Sequence, residues 1–260
     1  MTTQKQDLTF FHDNSIIPQL NERLLGVVTH TQGTSPSWLI NSLVENALYG
    51  TCHLNHDQPS RRSNVVADTV LISFLHNEKF FEKDLRKAGV ETGEGFHFID
   101  LFSDLFSKIS SPASLEKTVE GIVTQIKSFK RNHKVLIIEG IEVLLAATPI
   151  NATQLLDQIA VLCRASTSLF IITAADPELY TLKVANEKLP EFKMNEFLNR
   201  LAHMSKLNIA LRPLDTGRAK DVTGTLTISR GAIPFKSLQV TEKEYLFLVS
   251  RDQTTKLFFR

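Results

Sequence analysis

The sequence has only two cysteines, Cys52 and Cys163, far apart and without a CxxC pair. So few thiols exclude a disulfide framework and point to a reducing compartment, the cytoplasm or the nucleus. Neither charge dominates: 29 Lys and Arg face 28 Asp and Glu. That balance excludes the chain-wide field of a strongly basic nucleic-acid binder and leaves only local clusters to consider. No apolar run approaches the ~18 residues that cross a bilayer. Residues 1–7 are polar and lack the basic-then-apolar pattern of a secretory signal, so a soluble protein is expected. No GxSxG follows an apolar run, which removes a serine-hydrolase reading.

What is present is a globular composition, 42% hydrophobic and 22% charged over 260 residues, suited to one α/β domain. Four short apolar runs read as buried strands: Leu24 to Thr29, Thr69 to Leu75, Val135 to Ile138 and Leu169 to Thr173. Helical patterns alternate with them. Ser111-Pro112 supplies a cap and a first-turn proline, and Leu115, Val119, Ile122, Ile126 and Phe129 then recur at helical spacing. Leu155, Leu156, Ile159 and Leu162 repeat the signal before the fourth strand, and Phe192, Phe197, Leu198 and Leu201 after it. Strands separated by helices imply βαβ units and a mostly parallel twisted sheet flanked by helices.

This pattern holds over residues 1–206. From 207 to 260 the chain changes to turn clusters between short runs of alternating polarity, Asn208 to Leu214, Thr225 to Ser229, Tyr245 to Val249 and Lys256 to Phe259, which predict an antiparallel end to the sheet. Thr51 to Asn64 and Asp176 to Pro190 lack periodicity and read as loops. No repeat or linker breaks the chain into a second domain.

The first strand and its helix stand where a phosphate-binding loop is found in P-loop ATPases. That loop, GxxxxGK[ST], surrounds phosphates with backbone N–H groups, places a lysine on them and a small hydroxyl on Mg²⁺. Here His30-Thr31-Gln32-Gly33-Thr34-Ser35-Pro36-Ser37-Trp38 fills the position. It has one glycine and no lysine, Pro36 removes a backbone donor, and bulky Trp38 replaces the small hydroxyl. The expectation is a degenerate phosphate loop with no intrinsic cofactor. Glu139, ending the third strand, resembles the acid that holds Mg²⁺ or activates water in such enzymes. It also fits an ordinary acid at the ligand-binding edge of a parallel sheet. Cys52-His53 and His56-Asp57 offer metal-ligand atom types in one loop without a partner pair at zinc spacing, so a surface loop without a metal is expected.

The remaining candidates are basic: Arg212, Arg218, Lys220 and Arg230, around the Leu214-Gly217 and Thr223-Gly224 turns. Two roles fit them, a phosphate contact to RNA or to a neighbour's nucleotide, and a charged hairpin edge that discourages strand pairing.

The late segment Leu214-Asp215-Thr216-Gly217-Arg218-Ala219-Lys220-Asp221-Val222-Thr223-Gly224-Thr225-Leu226, with Glu244-Tyr245-Leu246 and the ending Thr255-Lys256-Leu257-Phe258-Phe259-Arg260, resembles the Elongator complex protein 6 family. Upstream, Gln6-Asp7-Leu8, the His30 to Trp38 loop with Ile40-Asn41-Ser42-Leu43-Val44-Glu45, and Ile137-Ile138-Glu139 follow in the family's order. The resemblance implies a RecA-like fold and a heterohexameric ring with Elongator proteins 4 and 5. That ring accompanies the Elongator catalytic subcomplex, which modifies wobble uridines of tRNA, and its tRNA affinity is coupled to ATP hydrolysis. This chain is then expected to be a non-catalytic ring subunit that supports tRNA binding, with any ATP-Mg held at ring interfaces. A RecA-like recombination accessory protein or ATPase acting on DNA is the alternative, and it calls for a more basic chain or a DNA-binding appendage.

Overall fold

The computed structural model describes residues 8–19, 21–55, 60–61, 63–175, 189–217, 219–250 and 254–259. The elements run β1 (Leu24–His30), α1 (Ser37–Tyr49), β2 (Thr51–Cys52), β3 (Ser60–Arg61), β4 (Asp68–Ser73), α2 (Glu78–Lys87), β5 (Phe96–Asp100), α3 (Leu105–Lys108), α4 (Pro112–Ser128), β6 (Lys134–Glu139), α5 (Val143–Ala147), α6 (Ala152–Ala165), β7 (Ser168–Ala174), α7 (Pro190–Met204), β8 (Leu207–Arg212), β9 (Gly224–Arg230), β10 (Lys243–Val249) and β11 (Thr255–Phe259).

All but β2 and β3 join one nine-stranded sheet, ordered β11-β10-β9-β8-β1-β7-β6-β4-β5. β5, β4, β6, β7, β1 and β8 are parallel neighbours. β9, β10 and β11 extend the sheet antiparallel beyond β8. The boundary read at residue 206 therefore moves: β8 runs parallel to β1, with Gly26 opposite Leu207, and the antiparallel part begins at β9. The cause is α7, which carries the chain back across the sheet, so that the strand after it enters in the same direction as the one before.

Because strand side chains alternate between faces, the buried strands feed two cores. Val28, Leu71, Ile137, Phe170 and Ile172 pack with α1, with Phe81 and Leu85 of α2, and with the inner residues of β8 to β11. Val27, Val70, Ile72, Leu136, Ile138 and Ile171 pack with α4, α5, α6 and α7. Helix α4 starts as its sequence dictates: Ser111 and Ser114 form a capping box, Pro112 opens the helix, and Leu115, Val119, Ile122 and Ile126 are its buried stripe. Helix α1 is buried nearly all round, because residues 8–17 strap its outer side. Asn46 fixes that strap by accepting the Ile16 N–H at 3.1 Å. At the centre of the sheet, Gly26 leaves room for a ring: a Cβ there would lie 2.7 Å from Phe170.

Residues 51–55 and 60–61 are more ordered than the composition of this stretch suggests. Thr51–Cys52 pairs antiparallel with Ser60–Arg61, and Cys52 and Leu54 are buried in the core. Glu45 of α1, itself buried, explains it. Its carboxylate accepts from the Thr51 hydroxyl at 2.7 Å and the His53 N–H at 2.9 Å, and meets His53 Nδ1 at 2.7 Å. Asn55 then reaches β11, giving its N–H to Thr255 O at 2.9 Å and taking the Leu257 N–H at 2.6 Å. The expectation of a surface loop is thus corrected for Cys52 and His53. His56 and Asp57 lie outside the described residues, as does most of 176–190.

Candidate functional site

In parallel sheets the loops that leave the C-terminal strand ends form the ligand-binding edge. Here that edge is built by the loop after β1, the ends of β4, β6 and β7, and the turn after β8.

Several donors of the β1–α1 loop are already engaged, within the loop or on β8. Thr31 gives its N–H to Leu211 O at 3.3 Å. Thr34 turns both its N–H (3.1 Å) and its hydroxyl (2.7 Å) back onto Thr31 O, and Ser37 N–H is met by Ser35 Oγ at 3.3 Å. Gly33, at φ 92°, makes the left-handed step of the turn. Pro36 occupies the N-cap of α1 with helical dihedrals, no side-chain cap and no N–H of its own. Trp38 turns inward. It is 4% exposed, its ring centroid lies 5.2 Å from that of Phe247 on β10, and its indole N–H has no partner among the described residues.

Glu139 ends β6 at 2% exposure. One of its oxygens takes the Ser73 hydroxyl at 2.6 Å and also meets His76 Nδ1 at 3.0 Å. Ser73 Oγ in turn accepts the N–H groups of Leu75 and His76 at 3.2 and 3.0 Å, so the carboxylate ties down the β4–α2 turn. His76 stacks on half-exposed Phe80, ring centroids 3.9 Å apart.

A second acid, Glu142, was not legible in the sequence. Gly140, at φ 76°, reverses the chain after β6 and brings Glu142 back against β7. There one oxygen takes the Ala174 N–H at 2.8 Å and the other is buried without a hydrogen bond among the described residues. Burial pushes the Glu142 carboxyl up to about 7, with the Glu139 charge adding to the rise and the Ala174 N–H opposing it. The folded state therefore holds a proton that the unfolded chain releases. The stability this contributes is present below the ordinary carboxyl value and lost as pH rises through about 7. We expect Glu142→Gln to stabilise the protein by about 2–3 kcal/mol at pH 8, with little effect at pH 5. Thermal melts of both proteins across this range check it; parallel curves would contradict the assignment.

The basic candidates divide between two edges. Arg212 and Lys220, both exposed, stand at the C-terminal edge beside the β1–α1 loop, because Leu211 pairs with His30. Arg230 pairs with Leu207 and lies at the opposite edge, a β9 length of about 20 Å away. Arg218 lies outside the described residues.

With this geometry in view, comparison with known proteins is informative. The family model described as Elongation complex protein 6 matches residues 86–250. Elongator complex protein 6 of Saccharomyces cerevisiae is 31% identical over 278 aligned residues, covering 100% of this chain and 99% of the relative. The chain belongs to the Elongator complex protein 6 family. The Schizosaccharomyces pombe homolog is 29% identical over 167 residues, covering 59% of this chain and 62% of its own length. Among solved structures, the KaiC-like protein PH0186 of Pyrococcus horikoshii superposes with TM-score 0.58 at 14% identity, over 98% of this chain and 99% of that one. The flagellar accessory protein FlaH of Methanocaldococcus jannaschii gives 0.57 at 13%, over 91% and 90%. The fold of this Elongator-family chain is RecA-like, with the antiparallel strands at its C-terminal end.

Proposed function

We propose that this chain is a non-catalytic subunit of a heterohexameric RecA-like ring, assembled with Elongator proteins 4 and 5, that supports tRNA binding during wobble-uridine modification by the Elongator catalytic subcomplex. The carrying observation is the indole of Trp38, packed on Phe247 at the start of α1, where a nucleotide site needs a small metal-binding hydroxyl. The residues around it do not fit ATP-Mg. The loop has no lysine, the N–H groups of Thr31, Thr34 and Ser37 are already engaged, and the one acid at the end of β6 already serves Ser73 and His76. On this reading ATP-Mg belongs to ring interfaces, where Arg212, Arg218 or Lys220 can face its phosphates, and the assembly works in cytoplasm and nucleus. Family membership weighs against the alternative, a recombination accessory protein or ATPase acting on DNA.

Two measurements test the proposal. The purified chain, titrated with ATP and Mg²⁺ in a calorimeter, is expected to give no binding heat at millimolar nucleotide; tight binding would refute the non-catalytic assignment. Mixed with Elongator proteins 4 and 5, it is expected to give a six-subunit mass by light scattering, and failure to co-assemble would refute the ring.

A further inference from the structure

The N-terminal edge of the sheet, opposite the edge where RecA-like folds hold ligands, gathers cations from four consecutive positions. In sheet order β9, β8, β1, β7, these are Arg230 ending β9, Lys206 just before β8, Arg23 just before β1, and Arg164 near the end of α6, ahead of β7. With strands ~4.8 Å apart, the row spans about 15 Å. Three of the four draw together around one thiol: Cys163 lies close enough to feel the charges of Lys206, Arg23 and Arg164.

Two of these cations meet neutral groups. The Lys206 ammonium donates to Arg23 O and sits 4.4 Å above the Phe235 ring, and the Arg23 guanidinium donates to Glu22 O at 3.0 Å. Arg164, Lys206 and Arg230 form no ion pair with a carboxylate among the described residues. Two acids stand beside the row and offset part of its charge: Glu22, which accepts the Ser237 hydroxyl at 2.7 Å, and Glu242, which accepts the Arg230 backbone N–H at 2.7 Å. Holding four cations beside only two acids raises the free energy of the unbound protein by self-repulsion. A polyanion relieves that repulsion, and a linear row suits a strand of phosphates rather than a single anion.

We propose that Arg23, Arg164, Lys206 and Arg230 form a phosphodiester-backbone contact surface for RNA. The choice of RNA rests on the function proposed above; the location is new, and it separates Arg230 from Lys220 in role.

The test uses the full chain assembled with its ring partners and a fluorescently labelled tRNA, titrated across a salt series. The triple variant Arg164→Gln/Lys206→Gln/Arg230→Gln is expected to bind at least tenfold more weakly at about 0.1 M salt and to lower the log–log salt slope by about 2. The pair Arg212→Gln/Lys220→Gln, on the opposite edge, is the comparison. Should loss of the Lys206–Phe235 contact lower the melting temperature by more than about 2 °C, Arg164→Gln/Arg230→Gln carries the test, with a slope change of about 1–2. An unchanged affinity and slope in these variants, with the unmodified ring still binding tRNA, overturns the surface and leaves the tRNA role standing. A ring that binds no tRNA at all refutes the role itself. Binding of phosphatidylserine vesicles, abolished by the same substitutions while tRNA binding persists, would also overturn the assignment.

Discussion

Trp38→Ala is expected to destabilise the protein by about 3–5 kcal/mol without creating nucleotide binding. The indole is buried against Phe247 in the core that also holds α1 and the inner faces of β8 to β10, so truncation leaves a cavity that the surrounding strands cannot close. The value should fall at the lower end of that range, because the variant also removes a buried indole N–H that lacks a partner. Trp38→Phe separates the two contributions. It keeps most of the apolar body and sheds the unpaired donor, and is expected to change stability by under about 1.5 kcal/mol in either direction. Urea denaturation of both variants measures the costs. If Trp38→Ala were neutral, or if it gained ATP affinity, the indole would be a lid on a working site and not part of the core.

Asp68→Ala is expected to cost about 3–5 kcal/mol, a fall in melting temperature of roughly 6–15 °C for a chain of this size. Asp68 opens β4 at 4% exposure and holds two basic residues that converge there. Its Oδ2 takes the Arg131 N–H at 2.9 Å and the Lys134 ammonium at 3.2 Å. Arg131 goes on to donate to Ala67 O at 2.6 Å, Leu48 O at 3.3 Å and Glu94 O at 3.2 Å, joining α1, β4 and the turn before β5. Removing the carboxylate leaves the Lys134 side chain, only 12% exposed, with carbonyls and no counter-ion. Asp68→Asn retains an acceptor and is expected to lose about half as much. Equal stability of the alanine variant would mean that Lys134 relaxes into water at no cost.

How much was legible depended on burial. Val135 to Ile138 and Leu169 to Thr173 are flanked by strands on both sides and covered on both faces, so they read as continuous apolar runs. β5 has a strand neighbour only in β4 and is half-buried throughout, and its sequence mixes Phe96 and Phe98 with His97 and Asp100. No single period survives there. Helix α2 was missed for a related reason: it buries only Phe81 and Leu85, and its Asn77 cap and charged surface resemble a loop. At the C-terminal edge the missing lysine and Pro36 were visible in the sequence. The inward turn of Trp38 and the place of Glu142 were not, because each depends on a partner far along the chain, Phe247 and Ala174. Glu45 and His53 show the same limit: a histidine beside a cysteine suggests metal chemistry until a buried carboxylate from the preceding helix accounts for it.

The central position of β1 has a consequence for how the chain is made. Its neighbours are β7 and β8, so Leu24 waits for Ser168 and Gly26 for Leu207. At ribosomal rates of ~5–20 residues per second, the interval before β7 emerges is roughly 7–30 s. Throughout it, one of the most apolar strands of the molecule has no permanent partner. β1 thus leaves the ribosome well before either strand that flanks it in the folded sheet. Shielding by a chaperone, or by the early packing of the 8–17 strap on α1, is therefore a requirement of the topology during synthesis.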